Sequence, residues 1–392
     1  MNSPVIRPAF VKRFECLGAD CEDTCCKSWD MQVDSKTLKR YQTEILELAD
    51  TVTGAEGHAV MRRDAASGYC VKFEGGLCNI QRKHGENALG DACYFYPRAL
   101  RGLAEQTVIT ATLSCPEIAR LALFADDAFI PDYSSIERLP ESLANYLPAE
   151  MKADQAYALH QKFLDAALNK NTPAERNLMR IFAAAESLAK THAATWPQYA
   201  QQYLDSAESD LPEPEAHYTD QVYLLQALCG LIAAAKNVRP ARLMETIAGM
   251  EKAMHVTIPW DTLMIASLPD SAHTIRALYT RWQNEWAPHF AGVLRHYLAA
   301  QLSLALFPFA GFGNTLTQRI AIIGVRLATI KLALMSECSN KGALLDEKET
   351  IRVIQSLSRF VDHLAEPEFS IRIYQETGWL QKRRLRALLG DK

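Results

Sequence analysis

From Pro116 to the end of the chain, apolar residues recur every three or four positions, Leu, Ala, Gln and Glu dominate, and glycine is sparse. That period lays one apolar stripe along each of a series of helices. It predicts helices over 117–125, 150–169, 173–191, 196–206, 217–236, 239–254, 273–306, 314–336, 347–364 and 370–388. Pro173 and the pair Asp346 and Glu349 supply starts of the kind helices favour. Breaks are expected at Pro131 to Pro148, at an acidic stretch from Asp205 to Glu215 that holds Pro212 and Pro214, and at Pro308 to Gly313. No fixed-period repeat stands out, so a solenoid is not supported.

The first 115 residues follow a different pattern. Pro4 and Pro8 oppose helix, so 1–15 reads as an extended lead-in with Phe10, Val11 and Phe14 available to pack. Trp29 to Val33 alternates apolar with polar, and Leu38, Tyr41, Ile45 and Leu48 predict a helix over about 35–50. Residues 51–92 are irregular, and half of the chain's 18 glycines fall before residue 116. Two short apolar runs around Gly75 and Gly76 predict a hairpin with Cys70 and Cys78 at its outer ends. Val108 to Leu113 is strand-like. The expected fold is mainly α, with a loop-rich N-terminal cysteine region (1–125) that carries a short hairpin, followed by an all-helical domain (126–392).

Charge and targeting narrow the function classes. A net charge of -4 leaves no basic footprint for nucleic acid. Leu302 to Met335 is the most apolar region, but Pro308, Arg319, Arg326 and Lys331 interrupt it, so no membrane span is expected. Arg7, Lys12 and Arg13 stand where a secretory leader would need its apolar stretch, and a cytoplasmic location is expected.

Cysteine usage is the strongest chemical signal. Eight of the ten cysteines, Cys16, Cys21, Cys25, Cys26, Cys70, Cys78, Cys93 and Cys115, lie in the first 115 residues. In a reducing compartment such thiols read as metal ligands rather than disulfides. Zinc prefers two close pairs, and only Cys21 with Cys25 supplies one. The wider loop-borne spacings suit an iron–sulfur cluster equally well. One cluster, two clusters, or one with spare cysteines all remain open. The radical enzymes that use S-adenosylmethionine have Cys-x₃-Cys-x₂-Cys, which would require a cysteine where this chain has Ser28, and the helical remainder lacks their strand–helix alternation.

The stretch Arg13-Phe14-Glu15-Cys16, then Cys21, Cys25-Cys26 with Trp29, Gly68 with Cys70, Leu77-Cys78 with Ile80 and Gln81, and Cys93 with Tyr96-Pro97-Arg98 resembles the flagellin lysine N-methylases. Their N-terminal segment is shared with small cysteine-cluster proteins of the YkgJ type. Those small proteins end soon after the last cysteine, whereas the length and helical tail here agree with the methylases. The resemblance implies methyl transfer from S-adenosylmethionine to lysine side chains of flagellin before its export. It also implies a [4Fe-4S] cluster, with the eight cysteines as ligand candidates. No Gly-rich loop after a strand marks a Rossmann-type cofactor site.

Lysine methylation needs a neutral amine, because an ammonium with a pKa of about 10.4 is not nucleophilic. Tyr94 and Tyr96 beside Cys93 are catalytic candidates, and Arg98 is a candidate for the cofactor carboxylate or for compensating cluster charge. The competing reading makes Tyr94, Phe95 and Tyr96 core aromatics that shield the cluster. His84 reads as a solvated loop residue, His289 and His296 as packing, and Trp282 with Trp286 as core. The acidic residues Asp205, Glu208, Asp210, Glu213 and Glu215 read as a solvated linker. Lys382, Arg383, Arg384 and Arg386 read as the complement of a helix C-terminus. The alternative function is a non-enzymatic iron–sulfur or zinc protein acting in electron transfer or partner binding.

Overall fold

Residues 316–341 carry more apolar side chains than one face of a surface helix can use, and they form a helix enclosed by others. This computed structural model describes residues 3–27, 29–206, 218–235, 240–260, 272–364 and 367–390. In the Leu316–Lys341 helix every residue from Ile320 to Ser336 is buried. Thr315 caps its start through Gln318 N, and Gly342, at φ +72°, ends it in the left-handed conformation that glycine adopts most readily. The helices Ala174–Leu188, Ala241–Met254, Ala287–Leu304, Glu347–Val361 and Lys382–Leu389 pack around it. Gly324 lets two of them approach, since a Cβ there would meet Leu385 at 2.8 Å and Leu178 at 3.1 Å.

Most expected helices are present, and the differences have local causes. The stretch 273–306 is two helices, Ala272–Arg281 and Ala287–Leu304, joined by a π-helical turn at Trp282–Trp286. Pro288 cannot donate to the preceding turn, and the wider turn absorbs the mismatch. Trp282 and Trp286 are both buried, Trp282 stacking on Phe290 at 5.4 Å. The stretch 370–388 is also two helices, Pro367–Glu376 and Lys382–Leu389, because Gly378 at φ +78° turns the chain and sends Trp379 into the core. The basic run therefore begins a helix rather than ending one. Lys382 pairs with Glu186 at 3.2 Å and Arg384 with Asp220 at 2.9 Å, so ion pairs take the place of the expected dipole interaction. Of the acidic run, Glu208 to Glu215 lies outside the described residues.

The N-terminal lead-in is a strand at the centre of a sheet. Ser3–Pro8 lies parallel to Gln106–Ala111 and antiparallel to Pro131–Ile136, and Arg98–Leu103 completes the order on the far side of Gln106–Ala111. Val5, Ile6, Val108 and Ile109 are buried, and Thr110 Oγ1 meets Ser303 Oγ of the Ala287–Leu304 helix at 2.8 Å. This sheet shares the large helical core. A smaller core gathers Val33, Leu38, Tyr41, Leu48, Met61, Ile80 and Leu89, with Cys70, Cys78, Cys93 and Tyr94 packed against it. Among the described residues no helix is long and apolar enough to cross a membrane.

The charges in the apolar run have interior partners. Lys331 Nζ reaches Glu175 at 2.5 Å and Leu389 O at 2.8 Å, all inside the helical core. Lys331→Met is expected to cost about 3–5 kcal/mol by leaving the Glu175 charge unpaired. The double change Lys331→Met with Glu175→Leu is expected to regain most of that loss, as read by denaturant unfolding. His160 is buried and its Nδ1–H donates to Phe307 O at 2.8 Å, and burial holds its pKa down at about 4. The native state therefore binds fewer protons than the unfolded chain between that value and the ordinary histidine value of about 6.5. The stability linked to this group is complete above about pH 6.5, and on the order of 3 kcal/mol is lost as pH falls towards 4. A His160→Gln variant should show a flatter acid limb in pH-dependent unfolding.

Candidate functional site

The cysteine loops are held by short local devices and then clasped from the helical body. Gly75 and Gly76, at φ +60° and +82°, make the tight connection between Phe73–Glu74 and Leu77–Cys78 that only positive φ allows. Cys78 precedes the helix Asn79–His84, and Cys93 lies within Asp91–Phe95, whose Asp91 is fixed by Arg138 at 2.6 Å. Cys115 stands at the start of Pro116–Leu123, where Pro116 ends the strand direction and opens the helix. Cys70 N donates to Cys26 O at 2.8 Å and so ties two cysteine loops together.

The clasps come from side chains far along the chain. Arg359 bonds the Asp23 carboxylate and, at 2.5 Å, Lys27 O, while Gln355 reaches Asp23 at 2.8 Å and Ser114 O at 2.9 Å. Arg120 meets Glu22 at 2.7 Å, and Arg242 donates to Glu22 O at 2.6 Å. Trp29 Nε1 donates to Cys25 O at 2.5 Å, and Arg359 lies over the Trp29 ring at 4.7 Å.

The thiols fall into two neighbourhoods. Cys26, Cys70, Cys78 and Cys93 lie within electrostatic reach of one another, and Cys16, Cys21 and Cys115 form a second group. Cys25 adjoins the first group through Cys26. Burial pushes Cys70 up to about 11 and Cys115 up to about 12, and raises Cys21, Cys78 and Cys93. Cys26 is raised by its hydrogen bond with Cys25 and by burial. Among the described residues no three His, Cys, Asp or Glu side chains are closed around a single metal position. Electrostatic reach is longer than a bonding distance, so the two observations agree. In chemical type the first group, four half-buried thiols from separate turns, fits a thiolate-bound metal group.

A cavity of about 800 Å³ opens between these loops and the helices, and Trp29, Tyr96, Phe312, Ile323, Asp362 and His363 are among the residues that wall it. Asp362 lines it with a side chain that is 0% exposed and 3.2 Å from Arg326. Arg326 also donates to Gln301 Oε1 at 2.8 Å and Val361 O at 2.7 Å. Thr112 Oγ1 lies 2.8 Å from Asp362 Oδ2 and 3.1 Å from Ser114 Oγ. Ser114 Oγ is 3.0 Å from both Tyr96 OH and His363 Nε2. The Thr112 hydroxyl carries a single hydrogen and is placed as the donor in both bonds, so it is shared between Asp362 and Ser114. Ser114 Oγ in turn meets Tyr96 OH and His363 Nε2, and the side that carries the hydrogen at His363 follows the imidazole tautomer.

Trp29 stands edge-on to both rings of this chain, 5.3 Å from Tyr96 and 4.6 Å from His363. His363 is open to the cavity, yet surrounding protein lowers its pKa, with Arg359 and Arg326 adding to the effect and Asp362 opposing it. The imidazole is therefore neutral at physiological pH. Burial raises Tyr96 well above an ordinary phenol, which keeps it a hydrogen-bond donor.

Of the residues expected from sequence, Tyr96 and Arg98 line this cavity. Tyr94 does not; it packs on the smaller core with Arg138 over its ring at 4.2 Å. Arg98 donates to Tyr94 O at 2.9 Å and Phe95 O at 3.2 Å, and burial lowers its pKa. His84 pairs with Glu47 at 2.6 Å, and the buried His296 bonds Leu123 O at 3.0 Å. Thr112, Ser114, Gln301, Asp362 and His363 were not legible as a site. Arg326 alone carries a signal in the sequence, a charge inside an apolar run.

The family described as "FliB lysine N-methylase C-terminal domain" matches residues 160–377. A "Lysine-N-methylase" of Salmonella typhimurium (strain LT2) is 29% identical over 213 residues, which are 51% of this chain and 52% of that protein. One of Salmonella choleraesuis is 28% identical with the same coverage. The "Flagellar biosynthetic protein FliU" of Salmonella muenchen is 31% identical over 136 residues, 32% of this chain and 79% of that protein. The chain spans about half the length of the two lysine-N-methylases it matches. No solved structure matches it. With more than half of its residues matched, and with the helices that wall the cavity lying largely inside that match, the chain belongs to the FliB lysine N-methylase family.

Proposed function

We propose that the protein is a protein-lysine N-methyltransferase. In this reading it moves methyl groups from S-adenosylmethionine to lysine side chains of flagellin, in the cytoplasm and ahead of export, and carries a [4Fe-4S] cluster on its N-terminal cysteines. Family membership and the names of the relatives support it. The observation that carries it is the Tyr96–Ser114–His363 chain, which brings a neutral imidazole to a cavity beside the cysteines.

The chain's own residues answer the protonation problem of a lysine substrate. Trp29 and Tyr96 offer aromatic surface that attracts an ammonium while stripping it of water. His363 meets Ser114 through Nε2, and the ring nitrogen that carries no hydrogen is the proton acceptor. The bonded sequence through Ser114 and Thr112 to Asp362 orients the ring and steadies the imidazolium once it forms. S-adenosylmethionine, when bound, supplies an electrophilic methyl group on sulfur. The cluster, when bound, supplies thiolate cross-links among loops that separate helices now clasp.

Incubation of the protein with S-adenosylmethionine and purified flagellin should add methyl-sized mass increments to flagellin lysines; an unchanged mass spectrum overturns the reading. His363→Gln should lower the rate by about 10²- to 10⁴-fold. Part of that loss should return as pH is raised towards the lysine pKa, which a merely structural role would not produce. Tyr96→Phe, losing one neutral hydrogen bond, is expected to cost about five- to tenfold.

Anaerobically purified protein should contain iron and acid-labile sulfide. Cys26→Ala and Cys93→Ala should each lose it, whereas Cys229→Ala and Cys338→Ala, buried in the helical core, should retain it. Zinc without sulfide would exclude the cluster.

A further inference from the structure

The cavity has more positive than negative charge available to a ligand. Its three carboxylates are already engaged: Asp30 by Arg63 at 2.6 Å, Asp91 by Arg138 at 2.6 Å, and Asp362 by Arg326 at 3.2 Å. Arg98, Arg101 and Arg319 also line it, and among the described residues none of them has a carboxylate partner.

Their hydrogen bonds separate the three. Arg98 directs its donors to two carbonyls of its own turn. Arg101 donates only to Leu100 O at 3.2 Å, and its Nε is buried without a partner. Arg319 is held rigidly, with Nη1 on Pro308 O at 2.6 Å and Phe309 O at 3.2 Å and Nε on Gly313 O at 3.2 Å, which leaves Nη2 uncommitted. Tyr146 links the two, lying 5.8 Å from the Arg101 guanidinium and within electrostatic reach of Arg319. The backbone bonds Gly102 N to Ala144 O and Tyr146 N to Gly102 O, both 2.9 Å, fix that tyrosine beside the strand that carries Arg101. Guanidinium groups held in a partly enclosed cavity without a counter-charge are costly, and a forked donor set is suited to a carboxylate.

We propose that Arg101 and Arg319, with Tyr146 between them, form a carboxylate-binding pole of this cavity, and that the carboxylate is the one on the methyl donor. The inference rests on the methyl-transfer reading above. Arg319 and Arg326 are seven residues apart on one helix, roughly 10 Å along its axis. A carboxylate held at Arg319 thus leaves the length of an aminobutyrate chain and an incoming amine before the Asp362–His363 end. The pole positions the donor and takes no part in bond making.

Calorimetric titration with S-adenosylhomocysteine and with its decarboxylated analogue, which keeps the amine and nucleoside, tests this. Wild-type protein should prefer the carboxylate-bearing ligand by about 10- to 100-fold. Arg101→Gln and Arg319→Gln should lose that preference and bind the decarboxylated analogue as the wild type does. Arg319 also supports three carbonyls, so Arg101→Gln and Tyr146→Phe keep the test open if Arg319→Gln does not fold. Variants that retain the full preference, or that lose both ligands alike while folded, overturn the pole. Wild-type protein that binds neither ligand overturns the methyl-donor reading itself.

Discussion

The interior carboxylate of Asp362 is the constraint on which the cavity depends. A charge fully removed from water is tolerated only when charge and hydrogen bonds surround it. Arg326, Gln301 and Thr112 do this here, and they come from two long helices and from the segment just after a strand. Satisfying one carboxylate therefore sets the spacing of three elements. The next residue is His363, so the same solution places the imidazole at the cavity wall and gives its Nε2 a partner in Ser114. Loss of any one donor would leave an enclosed charge short of a partner as well as loosening the wall.

The cysteine loops depend on the helical body in a comparable way. Their local structure is slight, a two-residue hairpin and helices of five and six residues, too little to fix eight thiols by itself. Arg120, Arg242, Gln355 and Arg359 reach in from the helices and hold Glu22, Asp23 and Lys27. The Glu347–Val361 helix thus serves both sites: Gln355 and Arg359 hold the cysteine loop, and its end delivers Asp362 and His363. The buried thiols are protonated at neutral pH, so any metal group bound to them must displace protons, and its affinity must rise with pH.

Within the cavity the charges are arranged unevenly. The Asp362 end is neutralised and carries a neutral base beside aromatic rings, while the Arg101–Arg319 end keeps unpaired guanidinium groups. A ligand with a carboxylate at one end and a reacting centre further along would be oriented by that asymmetry alone. Pre-set guanidinium geometry, with Arg319 tied to three carbonyls, reduces the entropy lost when such a ligand is ordered.

The helices were legible because their hydrogen bonds close within four residues, so apolar period and caps carry the information locally. The Trp196–Ser206 helix falls where its period placed it, and Asp346 with Glu349 forms the expected capping box. The turn at Gly75 and Gly76 was legible for the same reason, although its paired strands are only Phe73–Glu74 and Leu77–Cys78, so Cys70 lies outside the hairpin and bridges Arg63 instead; the gathering of thiols in one region followed from their count. Local signals do not reach across the chain. That Ser3–Pro8 would become a central strand depended on partners about 100 and 130 residues away. Ser114 and His363 meet across 249 residues, and nothing around either marks it for the other. The sequence by itself determined the helical body, its breaks and the region of the thiols. Tertiary packing alone decided which polar groups face one cavity, because enclosing Asp362 requires donors that only the packed helices bring together.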